Sequence, residues 1–373
     1  MLNSFFGKIV AVLTSFFLAV AAFFGLGEAV PEQDADTAPE IKNVIYLIGD
    51  GMGFNHIEKT ELERNAVLFP EFFSIQGSSR TRSLSSSVTD SAAGGTALAT
   101  GVRTGNGMIG VYYDDENALI SYPKNIIELC MEDGMMTGII TTDSVTGATP
   151  AAFSAHTSSR ENTEEIANDQ LTSDIDLIWG KAVSVITESE VTENGYAYVA
   201  TYDEMMALGE GSKSFGQFTS SLWKTEQVNK STPKLEQMAV KAVDILDDTE
   251  EGFFLMIEAA HIDKHSHNQE GDKMTEALSE FSLTIEAMLD YAEKDGETLV
   301  VVTADHETGG ITLTDGVYGY KNGSHSGVDV PVFVLGSEDI IADGETVDNY
   351  EIPIRIAYAL GFTEEQFPVS VDK

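Results

Sequence analysis

TLVVVTADHE, residues 298–307, is an unbroken run of apolar and β-branched side chains that stops abruptly at two acids and a histidine. A run this short, with no alternation of polar and apolar positions and a glycine just upstream at Gly296, reads as a strand buried on both faces, as in a parallel sheet. The same pattern recurs at 44–48, 137–140, 253–257 and 330–335. Amphipathic stretches separate these runs. In 274–292 the residues Met274, Leu278, Phe281, Ile285, Met288 and Leu289 recur at helical steps and the stripe closes at Gly296, which is the periodicity of a surface helix with a glycine C-cap. Strand–helix alternation of this kind predicts an α/β fold, a doubly wound, mostly parallel central sheet flanked by helices.

Ligands bind such sheets beyond the carboxyl ends of the strands, and polar chemistry collects there. Residues 44–48 lead into Asp50, residues 253–257 into Glu258 and Asp263, and residues 298–302 into Asp305 and His306. An aspartate after a strand often caps the next helix, but several carboxylates crowded on one edge repel one another unless cations neutralise them. A multi-metal site accounts for the whole set. Asp263 and His267 stand four residues apart and so share a helical face, and the same spacing relates His261 to His265, so spacing alone does not choose between the pairs. His325 sits in NGSHSG (322–327), just before the last strand. Ser91 lies in VTDSAAGGTALATG (88–101), where small residues lead into a helix whose N-terminus favours an anion. No histidine neighbours Ser91 in sequence, which leaves a metal ion as its activator.

Charge and the chain ends bound what remains. The 373 residues carry 61 acids against 21 bases, a formal charge of −40, which argues against nucleic acid as a standing partner and keeps the protein soluble. Residues 9–26 are almost wholly apolar and run into Gly27-Glu28-Ala29, the form of a signal peptide with a small-residue cleavage site, or of an uncleaved anchor that would bring a membrane into play. Either reading exports the chain to a periplasmic, cell-surface or extracellular location. Removing 1–29 takes one acid and one base, Glu28 and Lys8, so the charge stays at −40. Residues 30–40, with two prolines and several acids, read as a disordered leader. A single domain follows over 41–373, with a less patterned insertion or lid at about 161–235. Cys130 is the sole cysteine, so no intrachain disulfide forms, and a buried helical position suits it.

Six stretches together closely resemble the alkaline phosphatase family in its own motif order: LIGDGMG (47–53), VTDSAAGGTALATG (88–101), GATPAAFSAHTSSR (147–160), MIEAAHIDKHSH (256–267), TADHETGG (303–310) and SHSG (324–327). The resemblance implies hydrolysis of small-molecule phosphate monoesters through a phosphoserine on Ser91, at two zinc ions and one magnesium ion. It assigns Asp263, His267 and His325 to the first zinc, Asp50, Asp305 and His306 to the second, and Asp50, Thr149 and Glu258 to magnesium. Arg160 would grip two phosphate oxygens through its planar fork. The resemblance also favours Asp263/His267 over His261/His265, and it suggests a homodimer. His56, His156, His261 and His265 are expected to pack or to support the ligands.

Two departures from the family pattern carry expectations of their own. Two residues before Thr149 the family usually has Asp or His, and Gly147 brings no side chain, so magnesium would be held more weakly. Lys264 would then lack a partner and be free to retain phosphate. The interval between His306 and His325 is short for the family, which implies an open mouth. Rival readings keep the metals but cleave diesters or sulfates, or replace catalysis by a metal-stabilised acidic surface. Ser91 and Arg160 favour monoesters.

Overall fold

Ten strands hydrogen-bond into one sheet in the computed structural model, which describes residues 40–113, 119–218 and 232–367. Their order across the sheet is Thr346–Asp348, Ile75–Arg80, Val330–Leu335, Thr298–Thr303, Asn43–Gly49, Phe253–Ala259, Met136–Ser144, Leu177–Lys181, Ser214–Phe218 and Ala197–Val199. Every neighbouring pair is parallel except the two made by Val330–Leu335. The α/β expectation therefore holds, with helices on both faces. Residues 1–39 lie outside the described residues, and with them the signal or anchor segment and nearly all of the acidic leader. Among the described residues no helix is long and apolar enough to cross a membrane.

The central strand Asn43–Gly49 shows why the sheet forms where it does. All seven of its residues are buried. Val44, Tyr46 and Ile48 pack into one core with Leu98, Ile127 and Phe254, while Ile45 and Leu47 enter the opposite core with Met274, Leu278, Phe281 and Ile285. Each such side chain stabilises the fold by about 2 kcal/mol on burial, enough to fix the strand that delivers Asp50. The helix forecast over 274–292 spans Gly271–Asp295, its apolar stripe faces the second core, and Gly296 ends it in the left-handed conformation at φ 80°.

Two expectations are corrected. Residues 330–335 were expected to run parallel with the other buried runs, but Val330–Leu335 is antiparallel, with Phe333 opposite Val302 and Leu335 opposite Val300. The chain leaves Thr298–Thr303 at its carboxyl end, pairs Glu307–Thr308 with His325–Ser326, and re-enters the sheet from that same edge. A strand that begins at the functional edge must run away from it. The described parts of 161–235 are not a lid over the sheet: they supply Leu177–Lys181, Ala197–Val199 and Ser214–Phe218, which extend the main sheet in parallel. Their short strands, broken by helices with Thr caps at Thr187 and Thr201, lack the long apolar runs that mark the central strands.

Candidate active site

Four adjacent strands in the middle of the sheet end on one rim, and each brings an acid to it. Asn43–Gly49 leads to Asp50, Phe253–Ala259 carries Glu258, Met136–Ser144 carries Asp143, and Thr298–Thr303 leads to Asp305 and His306. The helix His261–His267 follows directly and turns Asp263 and His267 to the same rim. Close approach depends on Gly51, at φ 74°, where an added Cβ would lie 2.9 Å from the Asp263 Cα.

The histidine tautomers identify what the cluster is built to hold. His267 Nδ1 lies 2.8 Å from the Gly323 carbonyl oxygen and His325 Nδ1 lies 2.9 Å from that of Thr89. A carbonyl only accepts, so both Nδ1 atoms carry the hydrogen and both Nε2 atoms present lone pairs. Those Nε2 atoms stand 3.0 Å apart, and Asp263 Oδ1 is 3.3 Å from one and 3.5 Å from the other. With both rings neutral, two lone pairs and a carboxylate oxygen converge with no donor between them, an arrangement that suits a cation. Around His306, Nδ1 meets the Thr308 hydroxyl at 3.2 Å, and that hydroxyl hydrogen-bonds to Asp263 Oδ1. His306 Nε2 then faces Asp50 Oδ1 at 3.5 Å and Asp305 Oδ2 at 3.3 Å, two buried oxygens with no hydrogen-bond partner among the described residues.

Donor atoms thus collect into two groups of cation-binding geometry, Asp263/His267/His325 and Asp50/Asp263/His306. Asp305 adjoins the second group, its other oxygen accepting from the Gly51 and His306 amides at 3.1 and 3.0 Å. The residues present therefore fit two divalent ions. Burial first, and then repulsion from Asp305, Asp263 and Glu258, pushes the Asp50 carboxyl well above the usual carboxylate range. Burial alone would raise Asp263 as well, but His325, His306, Thr308 and His267 outweigh it and hold that carboxyl well below the range.

Ser91 opens the ten-residue helix Ser91–Thr100, capped by Asp90, whose Oδ1 accepts from the Ala93 amide at 3.0 Å. The helix is buried along its whole length, and its glycines make the approach possible: a Cβ on Gly94 would meet the Asp305 carbonyl oxygen at 2.8 Å. Ser91 Oγ reaches His306 Nε2 at 3.1 Å. This is not a serine–histidine–aspartate relay, because Asp305 lies on the same Nε2 side as the serine and Nδ1 belongs to Thr308. Asp90 Oδ2 accepts from the Gly107 amide at 3.0 Å and from Arg160 Nη1 at 3.3 Å. One carboxylate thus ties the Ser91 helix to the half-exposed guanidinium.

At the third corner, Glu258 accepts from the Thr141 hydroxyl, and the buried Thr149 hydroxyl beside it makes no well-formed hydrogen bond among the described residues. Burial and then the Asp143 charge raise the Glu258 carboxyl to about 7. Lys264 is not left without a partner: it forms an ion pair with Asp143, supplied by the neighbouring strand. His261 and His265 turn elsewhere, toward Thr142 and Glu270. His56 is buried against Ser266, and His156 bridges the Gly110 carbonyl and Glu128. Sequence reading missed Asp90, Asp143 and Thr308 as parts of the site. Only the first carried a signal, as the acid directly before the small-residue helix.

The family model described as alkaline phosphatase matches residues 41–187 and 182–320. Alkaline phosphatase 4 of Bacillus subtilis is 35% identical over 305 residues, covering 76% of this chain and 64% of its own length; the chain thus spans a little under two thirds of that relative. The solved alkaline phosphatase from the Antarctic bacterium TAB5 superposes with a TM-score of 0.76 at 29% identity, covering 88% of this chain and 100% of its own. A mutant of that enzyme, at TM-score 0.75 and 29% identity with the same coverage, has magnesium bound in its M3 site.

Proposed function

Because the chain belongs to the alkaline phosphatase family, we propose that it hydrolyses phosphate monoesters to an alcohol and inorganic phosphate, with Ser91 carrying the phosphoryl group between two displacements. The observation that carries this reading is Ser91 Oγ at a buried helix N-terminus, 3.1 Å from His306 Nε2 and beside converging metal-ligand donors. Zinc ions held by Asp263, His267 and His325 and by Asp50, Asp305 and His306, and magnesium held by Asp50, Thr149 and Glu258, would supply Lewis-acid polarisation of the reacting oxygens.

The chain's own groups do the rest. The N-terminal end of Ser91–Thr100 favours the dianionic phosphoryl group through its dipole. Arg160, aimed by Asp90, binds nonbridging oxygens through its fork. Its half-exposed position lets substrate enter. His306 is fully buried and closes the floor behind Ser91, whereas His267 is exposed, so the alcohol leaves and water arrives on the His267 side. In-line geometry requires that opposition of nucleophile and leaving group.

Metal analysis of the purified protein, together with turnover of an aryl phosphomonoester and the matching diester, tests the reading. Zinc is expected, monoester turnover should exceed diester turnover, and Ser91→Ala should lose roughly 10³-fold or more in kcat. Absence of zinc, or faster diester cleavage, would overturn it.

A further inference from the structure

We propose that Asp143 is a positioning residue of this site: its carboxylate takes up the space beside Gly147 and neutralises the Lys264 ammonium next to Glu258, so that the Glu258–Thr149 corner accepts a divalent cation and the lysine does not lock onto phosphate. The proposal rests on the monoesterase reading.

Three observations bring Asp143 into the corner. Thr141 on Met136–Ser144 stands in register with Glu258 on Phe253–Ala259, and Asp143 follows two residues further along the same strand. The Asp143 amide donates to the Thr141 hydroxyl at 2.9 Å, and that hydroxyl donates to Glu258. A Cβ built on Gly147 would come within 3.4 Å of Asp143 Oδ2 and 3.0 Å of the Ser144 carbonyl. The Asp143 carboxylate thus stands in contact with the place a side chain at 147 would begin, and in this chain it is the acid found there.

Charge supplies the consequence. Lys264 follows the ligand Asp263 and acts electrostatically on Glu258. An unneutralised ammonium there competes with a dication for the carboxylate and attracts phosphate oxygens. Paired with Asp143 at short range, it does much less of either. Both side chains retain solvent contact, 41% for Lys264 and 23% for Asp143, so the pair contributes little to stability and its effect should appear in binding.

Calorimetric titration of magnesium, and separately of inorganic phosphate, into the zinc-loaded protein tests this with wild type, Asp143→Asn, Lys264→Ala and the double variant. Asp143→Asn is nearly isosteric and should fold. It is expected to weaken magnesium binding about tenfold, within the range for removing an outer partner of a metal site, and to tighten phosphate binding. Adding Lys264→Ala should return both affinities toward wild type, because the harm comes from the freed ammonium. Unchanged affinities in Asp143→Asn, or no recovery in the double variant, would overturn the proposal while leaving monoester turnover by the wild type intact. Failure of the wild-type protein to bind magnesium at all would also overturn the proposal, whereas only absence of zinc or faster diester cleavage would overturn the monoesterase reading.

Discussion

At the scale of single residues, the groups that organise this site are as telling as those that face its centre. The Thr308 hydroxyl stands between His306 Nδ1 and Asp263 and fixes the tautomer that turns the His306 lone pair toward Asp50 and Asp305. Thr308→Val should leave that buried N–H unpaired and lower metal affinity about 10- to 100-fold, read as faster loss of zinc to a chelator; unchanged retention would show that the ring is fixed by packing alone. Asp50, Glu258, Asp305 and His306 were legible in the sequence because each directly follows or ends an apolar run. Thr308 and Asp143 were not, since a hydroxyl or carboxylate acting through a residue remote in sequence leaves no periodic trace, and Asp90 showed only as the acid directly before the small-residue helix. Asp143 in particular becomes meaningful only when its strand lies beside Phe253–Ala259 and Gly147 leaves room.

Among the elements, the helix Ser91–Thr100 is the most tightly constrained. Its residues are small because both Asp305 and the helix Ala148–Ala152 lie against it: a Cβ on Gly94 would meet the Asp305 carbonyl oxygen at 2.8 Å, and one on Gly95 the Ala152 Cβ at 3.1 Å. Gly94→Ala must push the helix away from immovable backbone. It should cost about 1–3 kcal/mol and reduce turnover, measured by thermal denaturation beside activity. Gly95→Ala meets the Ala152 methyl group at 3.1 Å and the Thr149 Cα only at an ordinary 3.4 Å, and should be milder; equal effects would mean that helix entropy, not contact with Asp305, decides. Sequence patterning read the central strands and the long helix well, because full burial on two faces and a helical stripe are strong signals. It misread 330–335 in direction, since an apolar run reports burial but not polarity. It took 161–235 for an insertion or lid because strands of three to five residues are too short to show a period.

On the proposed function, the molecule as a whole has to gather an anionic substrate while carrying a formal charge of −40. Self-repulsion among 61 acids opposes the compact state, and the screening length falls from roughly 30 Å at 0.01 M salt to about 8 Å at 0.15 M. With metal concentrations fixed, Tm should therefore rise as potassium chloride is added, as followed by circular dichroism. A Tm that stays level or falls would show that the acids are already neutralised in the native protein. The antiparallel entry of Val330–Leu335 has a consequence of another kind. Because the chain departs from Thr298–Thr303 and returns at the same edge, the segment between His306 and His325 is a cassette anchored at both ends by candidate metal-binding histidines. Its outer hairpin, Thr312–Thr314 with Val317–Gly319, can be lengthened or exchanged without threading any strand anew. On the proposed function, substrate preference is thus open to change by graft at the rim while the strand ends beneath it keep their place.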